Sequence, residues 1–135
     1  MITRALPLAA VALVAFVVGI TAGSPGSPER DAADRFAHAW TTGGFREMYA
    51  ELNQASKRRL SLEDFEAAYR EAALTATARE VEVGSPGDAE ASGGSTVVPV
   101  ATAIHTVAFG TVEGELLVPY ADGGVEWDPS LVFPG

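Results

Sequence analysis

Residues 61–83 read SLEDFEAAYREAALTATAREVEV, and a change of period runs through them. Up to Ala76 the apolar positions Leu62, Phe65, Tyr69, Ala72 and Ala76 recur at alternating steps of three and four, which puts them on one stripe of a helix. Ser61-Leu62-Glu63-Asp64 at the start resembles a capping box: a hydroxyl to satisfy free amides, then acid in the first turn. After Arg79 the period falls to two, and Glu80-Val81-Glu82-Val83 alternates as a half-buried strand does. The chain therefore changes from helix to sheet here.

Working back towards the N-terminus, Ser27 and Pro28 supply an N-cap and a first-turn proline. Ala33, Phe36, Ala37 and Trp40 then form the apolar face of a first helix, which Gly43-Gly44 ends. Phe45, Met48, Tyr49 and Leu52 predict a second, shorter helix. Lys57-Arg58-Arg59 follows it, where cations favour the negative end of a helix dipole. Working forward, Gly84–Gly94 is a loop by composition, and two β-rich runs, 96–109 and 111–120, are divided by Gly110. Asp122-Gly123-Gly124 signals a hairpin turn, and Val125–Phe133 is expected as the last strand. Three helices on a curved four-stranded antiparallel sheet make an α+β fold. This order resembles the cone of the nuclear transport factor 2 and cystatin-like folds, which host enzymes, binders and spacers alike.

Ahead of the domain, one arginine, Arg4, precedes an uncharged run from Ala5 to Ala22. A helix of that length spans about 27 Å, close to the roughly 30 Å hydrocarbon core of a bilayer. Residues 1–22 are thus expected to be a membrane anchor or signal segment, with Thr21-Ala22-Gly23 a cleavage site in the latter case. Residues 23–28 are a linker, and 29–135 the domain. The charge at Arg4 predicts a single-pass protein of the cell membrane, with the domain on the extracytoplasmic side.

Composition narrows the function. The chain is 47% hydrophobic and 20% charged, which fits a folded domain and not a disordered one. The absence of cysteine excludes disulfides, cysteine–zinc sites, a thiol nucleophile and a lipidated cysteine. All the basic residues lie at or before Arg79; from Glu80 onward there are acids alone, within a net charge of −9. Such a surface repels phosphate backbones, so nucleic acid is excluded as a partner.

Chemistry is sparse. Asp34 and His38 share a helix face and form a base-and-orienter pair in principle, or an exposed ion pair beside the Phe36 and Trp40 stripe. His105 sits among valines and threonines in a strand, with no ligand partner at a metal-binding spacing, so no metal and no cofactor are expected. A pocket reaction would need Asp34, His38, Tyr49 or His105 to converge. The sole lysine is Lys57, and Gln54 stands three residues before it, so neither S-x-x-K nor K-[ST]-G occurs. No catalytic residue is expected in this chain.

The ending, Gly123–Gly135, reads GGVEWDPSLVFPG. It resembles the close of the N-terminal domain of class B penicillin-binding proteins of the methicillin-resistance type, whose last strand runs through a W-[DS]-P-S-[LI]-[VI]-[FH]-P segment. The Ala32–Trp40 helix, the Phe45–Leu52 segment, the Ser61–Phe65 start and Phe109-Gly110-Thr111 fall in that family's order, so the resemblance covers residues 29–135. Where many members carry a second tryptophan shortly before Trp127, this chain has Gly123. The resemblance implies a non-catalytic domain between a membrane anchor and a downstream peptidoglycan transpeptidase, the part that β-lactams acylate in such proteins. Trp127, Pro129, Phe133 and Pro134 are then the interdomain exit, the aromatics supplying apolar area and the prolines stiffness. The chain is expected to be the first part of a longer protein, with cell-wall synthesis proteins as further partners. The alternatives are a free-standing exported domain that binds a small ligand, and an envelope interaction protein.

Overall fold

The computed structural model describes residues 27–132. The anchor at 5–22, most of the linker, and Phe133 and Pro134 lie outside the described residues. Helix α1 (Pro28–Thr41) starts as its sequence dictates: the Ser27 hydroxyl accepts the Arg30 amide at 3.2 Å, with Pro28 in the first turn. It buries Ala32, Ala33, Phe36, Ala37 and Trp40. A turn with Gly43 at φ +71° leads into α2 (Phe45–Ala50), which buries Met48.

A helix that the sequence reading left out comes next. Helix α3 (Gln54–Arg59) is capped by Asn53, whose side-chain oxygen accepts the Ser56 amide at 2.9 Å. Lys57, Arg58 and Arg59 form its last turn, so the dipole they complement belongs to α3 and not to α2. Helix α4 (Leu62–Ala76) is the period-3.6 stretch. Ser61 caps it through the Asp64 amide at 3.1 Å, and Phe65, Tyr69 and Ala76 are its buried positions. Thr77 closes it at φ +53°.

The strands are β1 (Ala78–Pro86), β2 (Glu90–Ser92), β3 (Ser95–Thr106), β4 (Gly110–Ala121) and β5 (Gly124–Val125). They form one curled antiparallel sheet in the order β1-β3-β4-β5, with β2 also paired to β3. The supposed loop 84–94 is therefore partly sheet, because β1 runs on to Pro86 and β2 pairs Glu90–Ser92 with Ser95–Val97. Register shifts in β1, between Ala78 and Glu80 and between Val83 and Pro86, interrupt its ladder. The last strand is also shorter than expected. It ends at Val125, since Pro129 offers no amide to a ladder and Asp128 turns the chain into a 3-10 turn at Pro129–Leu131. The fold is thus α+β with four helices and five strands among the described residues.

Alternation assigns the two sheet faces. Val98, Val100, Thr102 and Ile104 of β3 and Leu116 and Val118 of β4 point inward, against Phe36, Met48 and Phe65 from the helices. Full burial of each large side chain contributes about 1.5–3 kcal/mol of transfer free energy. Helix α1 packs over β1, β3 and β5, while α4 packs on α2 and β1. Helix α1 thus lies along the sheet, and α4 meets it at the edge strand β1.

Candidate functional site

The segment after β4 is tied to the helices by main-chain and side-chain hydrogen bonds. Val125 sits in a parallel bridge to Leu52: its amide donates to the Glu51 carbonyl, and its carbonyl accepts the Asn53 amide, both at 2.8 Å. Gly124 lies so close to Asn53 that an added Cβ would meet the Asn53 nitrogen at 2.8 Å, which is why glycine stands there. Asn53, 4% exposed, works at both ends: Oδ1 caps α3, and Nδ2 donates to the Ala121 carbonyl at 3.0 Å. Beyond Val125 the amide of Trp127 donates to the buried Ser56 hydroxyl at 2.9 Å. Asp128 Oδ1 accepts the Ser130 amide at 2.8 Å, a bond that holds the Asp128 carboxyl below its ordinary range. Leu131 then buries itself in the core. Short helix α3 owes its place to these contacts, for it buries only Ser56.

Under this strap lies an aromatic cluster. Phe65, fully buried, meets Tyr69 at 4.9 Å, Tyr49 at 5.5 Å and Trp127 at 6.0 Å between ring centroids. Tyr69 also stacks on Phe45 and meets Trp40 edge-on. The Trp127 indole N–H donates to the Tyr69 hydroxyl at 3.4 Å. Burial pushes the Tyr69 phenol well above its ordinary value, with the indole donor acting in the opposite sense.

That shift has a measurable consequence. The fold favours the neutral phenol, so this contribution is intact below the unfolded value of about 10 and is lost as pH rises towards the folded one. Urea midpoints of the native chain are expected to fall between about pH 9 and 11, and Tyr69→Phe is expected to flatten that fall. An equally steep fall in the variant would assign it to other groups.

The pocket candidates do not converge. His38 Nδ1 lies 3.1 Å from Asp34 Oδ1 on an exposed face of α1. The Tyr49 hydroxyl donates to the Leu60 carbonyl at 2.6 Å, and His105 is on the outer face of the sheet beside Glu82 and Thr111. Of the exit residues, Trp127 is half-buried in the aromatic cluster, and Pro129 is exposed in the 3-10 turn. Sequence reasoning missed Asn53 and Ser56, although an asparagine directly ahead of Gln54-Ala55-Ser56 is a readable N-cap signal.

A family described as the NTF2-like N-terminal transpeptidase domain matches residues 28–135. This chain belongs to that family. Its match runs from the first residue of α1 through the strap to the end of the chain, so helices, sheet and strap are together the NTF2-like transpeptidase N-terminal domain. No curated protein matches the chain. Among the described residues no helix is long and apolar enough to cross a membrane. Gly123 stands at φ +82°, a conformation side chains rarely adopt.

Proposed function

We propose that this domain is a non-catalytic, extracytoplasmic support for a peptidoglycan transpeptidase, standing between a membrane anchor at residues 5–22 and the catalytic domain. The observation that carries this reading is the strap. Hydrogen bonds to Glu51, Asn53 and Ser56 and the seat of Trp127 on Phe65 and Tyr69 fix the chain up to its last described turn. A catalytic domain attached beyond it would leave in a direction set by the helices and not by a slack linker. Pro129 adds stiffness at that point. The family match supports the class of parent enzyme, and the lack of S-x-x-K and K-[ST]-G in this sequence is consistent with a separate catalytic domain.

Two measurements test this. Sequencing about two kilobases of source DNA past codon 135, room for a few ordinary domains, is expected to reveal a continuing frame with S-x-x-K followed by K-[ST]-G. A stop with no such motifs sinks the reading. Incubation of this chain alone with a fluorescent penicillin is expected to leave it unlabelled, and covalent labelling would overturn the non-catalytic role.

One observation favours a second reading, a domain that binds a small apolar ligand. A groove of about 760 Å³ runs between α4 and the β3–β4 hairpin, lined by Ala68, Ala72, Ala76, Phe109 and Val112, with Glu71 and Thr75 also on its wall. Phe109 at its rim is 66% exposed. Saturable binding of an apolar dye, lost in Ala72→Glu, would support that use of the cone.

A further inference from the structure

We propose that Glu80, Glu82 and His105 form a binding site for a divalent transition metal of the zinc class on the outer face of the sheet. Nothing in the linear sequence announces it, because the ligands come from strands separated by the β2 hairpin. The β1–β3 register sets Glu80 opposite His105, and Glu82 follows on the same face. Thr102 and Ile104, the β3 neighbours on the other face, are buried in the core, so the pleat sends His105 outward with the two carboxylates.

The distances suit a metal. One ligand atom from each of the three residues lies within 4.8 Å of the others. His105 Nε2 and Glu82 Oε1 are 3.3 Å apart. That is about the edge of a tetrahedron with bonds of ~2.0 Å, so two ligands already stand at the separation a zinc ion requires. Glu80 offers a third ligand atom, a carboxylate oxygen, within 4.8 Å of both.

The imidazole supplies the second argument. His105 Nδ1 lies 3.0 Å from Thr111 Oγ1, the kind of outer partner that orients a metal-binding histidine. With Nδ1–H donating to that oxygen, Nε2 turns its lone pair towards the Glu82 carboxylate. Nε2 is closed off from solvent and makes no hydrogen bond. In that tautomer two electron-rich atoms face one another, and either a proton on Nε2 or a cation between them relieves the repulsion.

The surroundings favour the cation. Across the sheet Glu82 is in line with Ala103 and then Glu113, while Glu115 follows Glu113 on the same face. No lysine or arginine occurs after Arg79, so this face concentrates cations from solution. The donor set selects among them. An imidazole nitrogen with two carboxylates suits zinc and its neighbours better than magnesium or calcium, and the site has no sulfur ligand for copper(I). Three protein ligands leave a position open to water or to a group from a partner. The Glu82 side chain is 60% exposed and that of His105 38%, so an ion would enter from the carboxylate side.

Titration of the full chain with zinc chloride, followed by calorimetry, tests the site. One saturable equivalent is expected, at least ten-fold weaker in His105→Ala and in Glu80→Gln/Glu82→Gln. Thr111→Val, which removes only the outer partner, is expected to weaken it about ten-fold. His38→Ala removes the other histidine and is expected to change nothing. Circular dichroism of each variant checks that the fold persists, and the His105 ring-nitrogen chemical shift on adding cadmium reports coordination directly. Absence of saturable binding, binding unchanged in His105→Ala, or binding lost in His38→Ala would each overturn the proposal. A His105 ring that titrates with pH but ignores metal would do the same, identifying a proton as the cation between the two groups.

Discussion

Phe65→Ala is expected to cost about 3–5 kcal/mol, the range for removing a fully buried aromatic side chain. The side chain is 0% exposed and touches Tyr49, Tyr69 and Trp127, so its loss leaves a cavity between α2, α4 and the strap at once. These neighbours cannot collapse together, because Tyr49 is held by its bond to the Leu60 carbonyl and Trp127 by its amide bond to Ser56. Folded domains are stable by only about 5–15 kcal/mol, so the variant gives up a large share of the total. For a domain of this size the melting temperature is expected to fall by at least about 12 °C. Leu74→Ala is the control, since Leu74 on the same helix is 80% exposed. Its effect is expected to stay within about 0.5 kcal/mol. Equal losses in the two variants would show that the aromatic cluster is not the centre of the core.

Gly124→Ala acts on the backbone and is expected to cost about 1–3 kcal/mol or more. The new methyl would lie 2.8 Å from the Asn53 nitrogen, 2.9 Å from its Cα and 3.0 Å from the Glu51 carbonyl oxygen. All three are main-chain atoms and have no rotamer to escape into. Relief requires β5 to move away from the Glu51–Asn53 segment, which breaks both hydrogen bonds of Val125 and withdraws Trp127 from Ser56. Hydrogen exchange is expected to speed at the Val125 and Trp127 amides well before it speeds in α4. Gly94→Ala, in the β2–β3 turn with nothing within 4 Å of the new methyl, is expected to be near neutral. Unchanged exchange at Val125 in Gly124→Ala would mean that the close approach to Asn53 is not a constraint.

What was legible in the sequence follows from how far each structure-forming interaction reaches. Ser27 and Ser61 cap amides three residues away, and the stripes of α1 and α4 recur within one turn, so both helices declare themselves locally. Helix α3 does not. Its six residues have no apolar stripe, and its buried contacts come from Ala121 and Trp127, 68 and 71 positions along the chain from Asn53 and Ser56. The β-rich composition of Val125–Phe133 suggested a strand where Asp128 and Pro129 in fact turn the chain. The motif marked Trp127 as a candidate exit residue, but its contacts with Tyr69 and Ser56 exist only in the fold. The Glu80, Glu82 and His105 group was hidden for a similar reason, since only strand register brings its members together.

The separation between Ser56 and Trp127 also bears on how the domain comes into being. A contact that joins positions 71 residues apart closes a long loop, and loop closure makes such contacts late and slow to form. Along the chain the helices come first and the strap last. Until residues 124–132 have docked, Asn53, Ser56 and the face of Phe65 lack these partners. A chain cut short before residue 124 would therefore expose the Phe65 and Tyr69 surface that Trp127 covers, a surface prone to association.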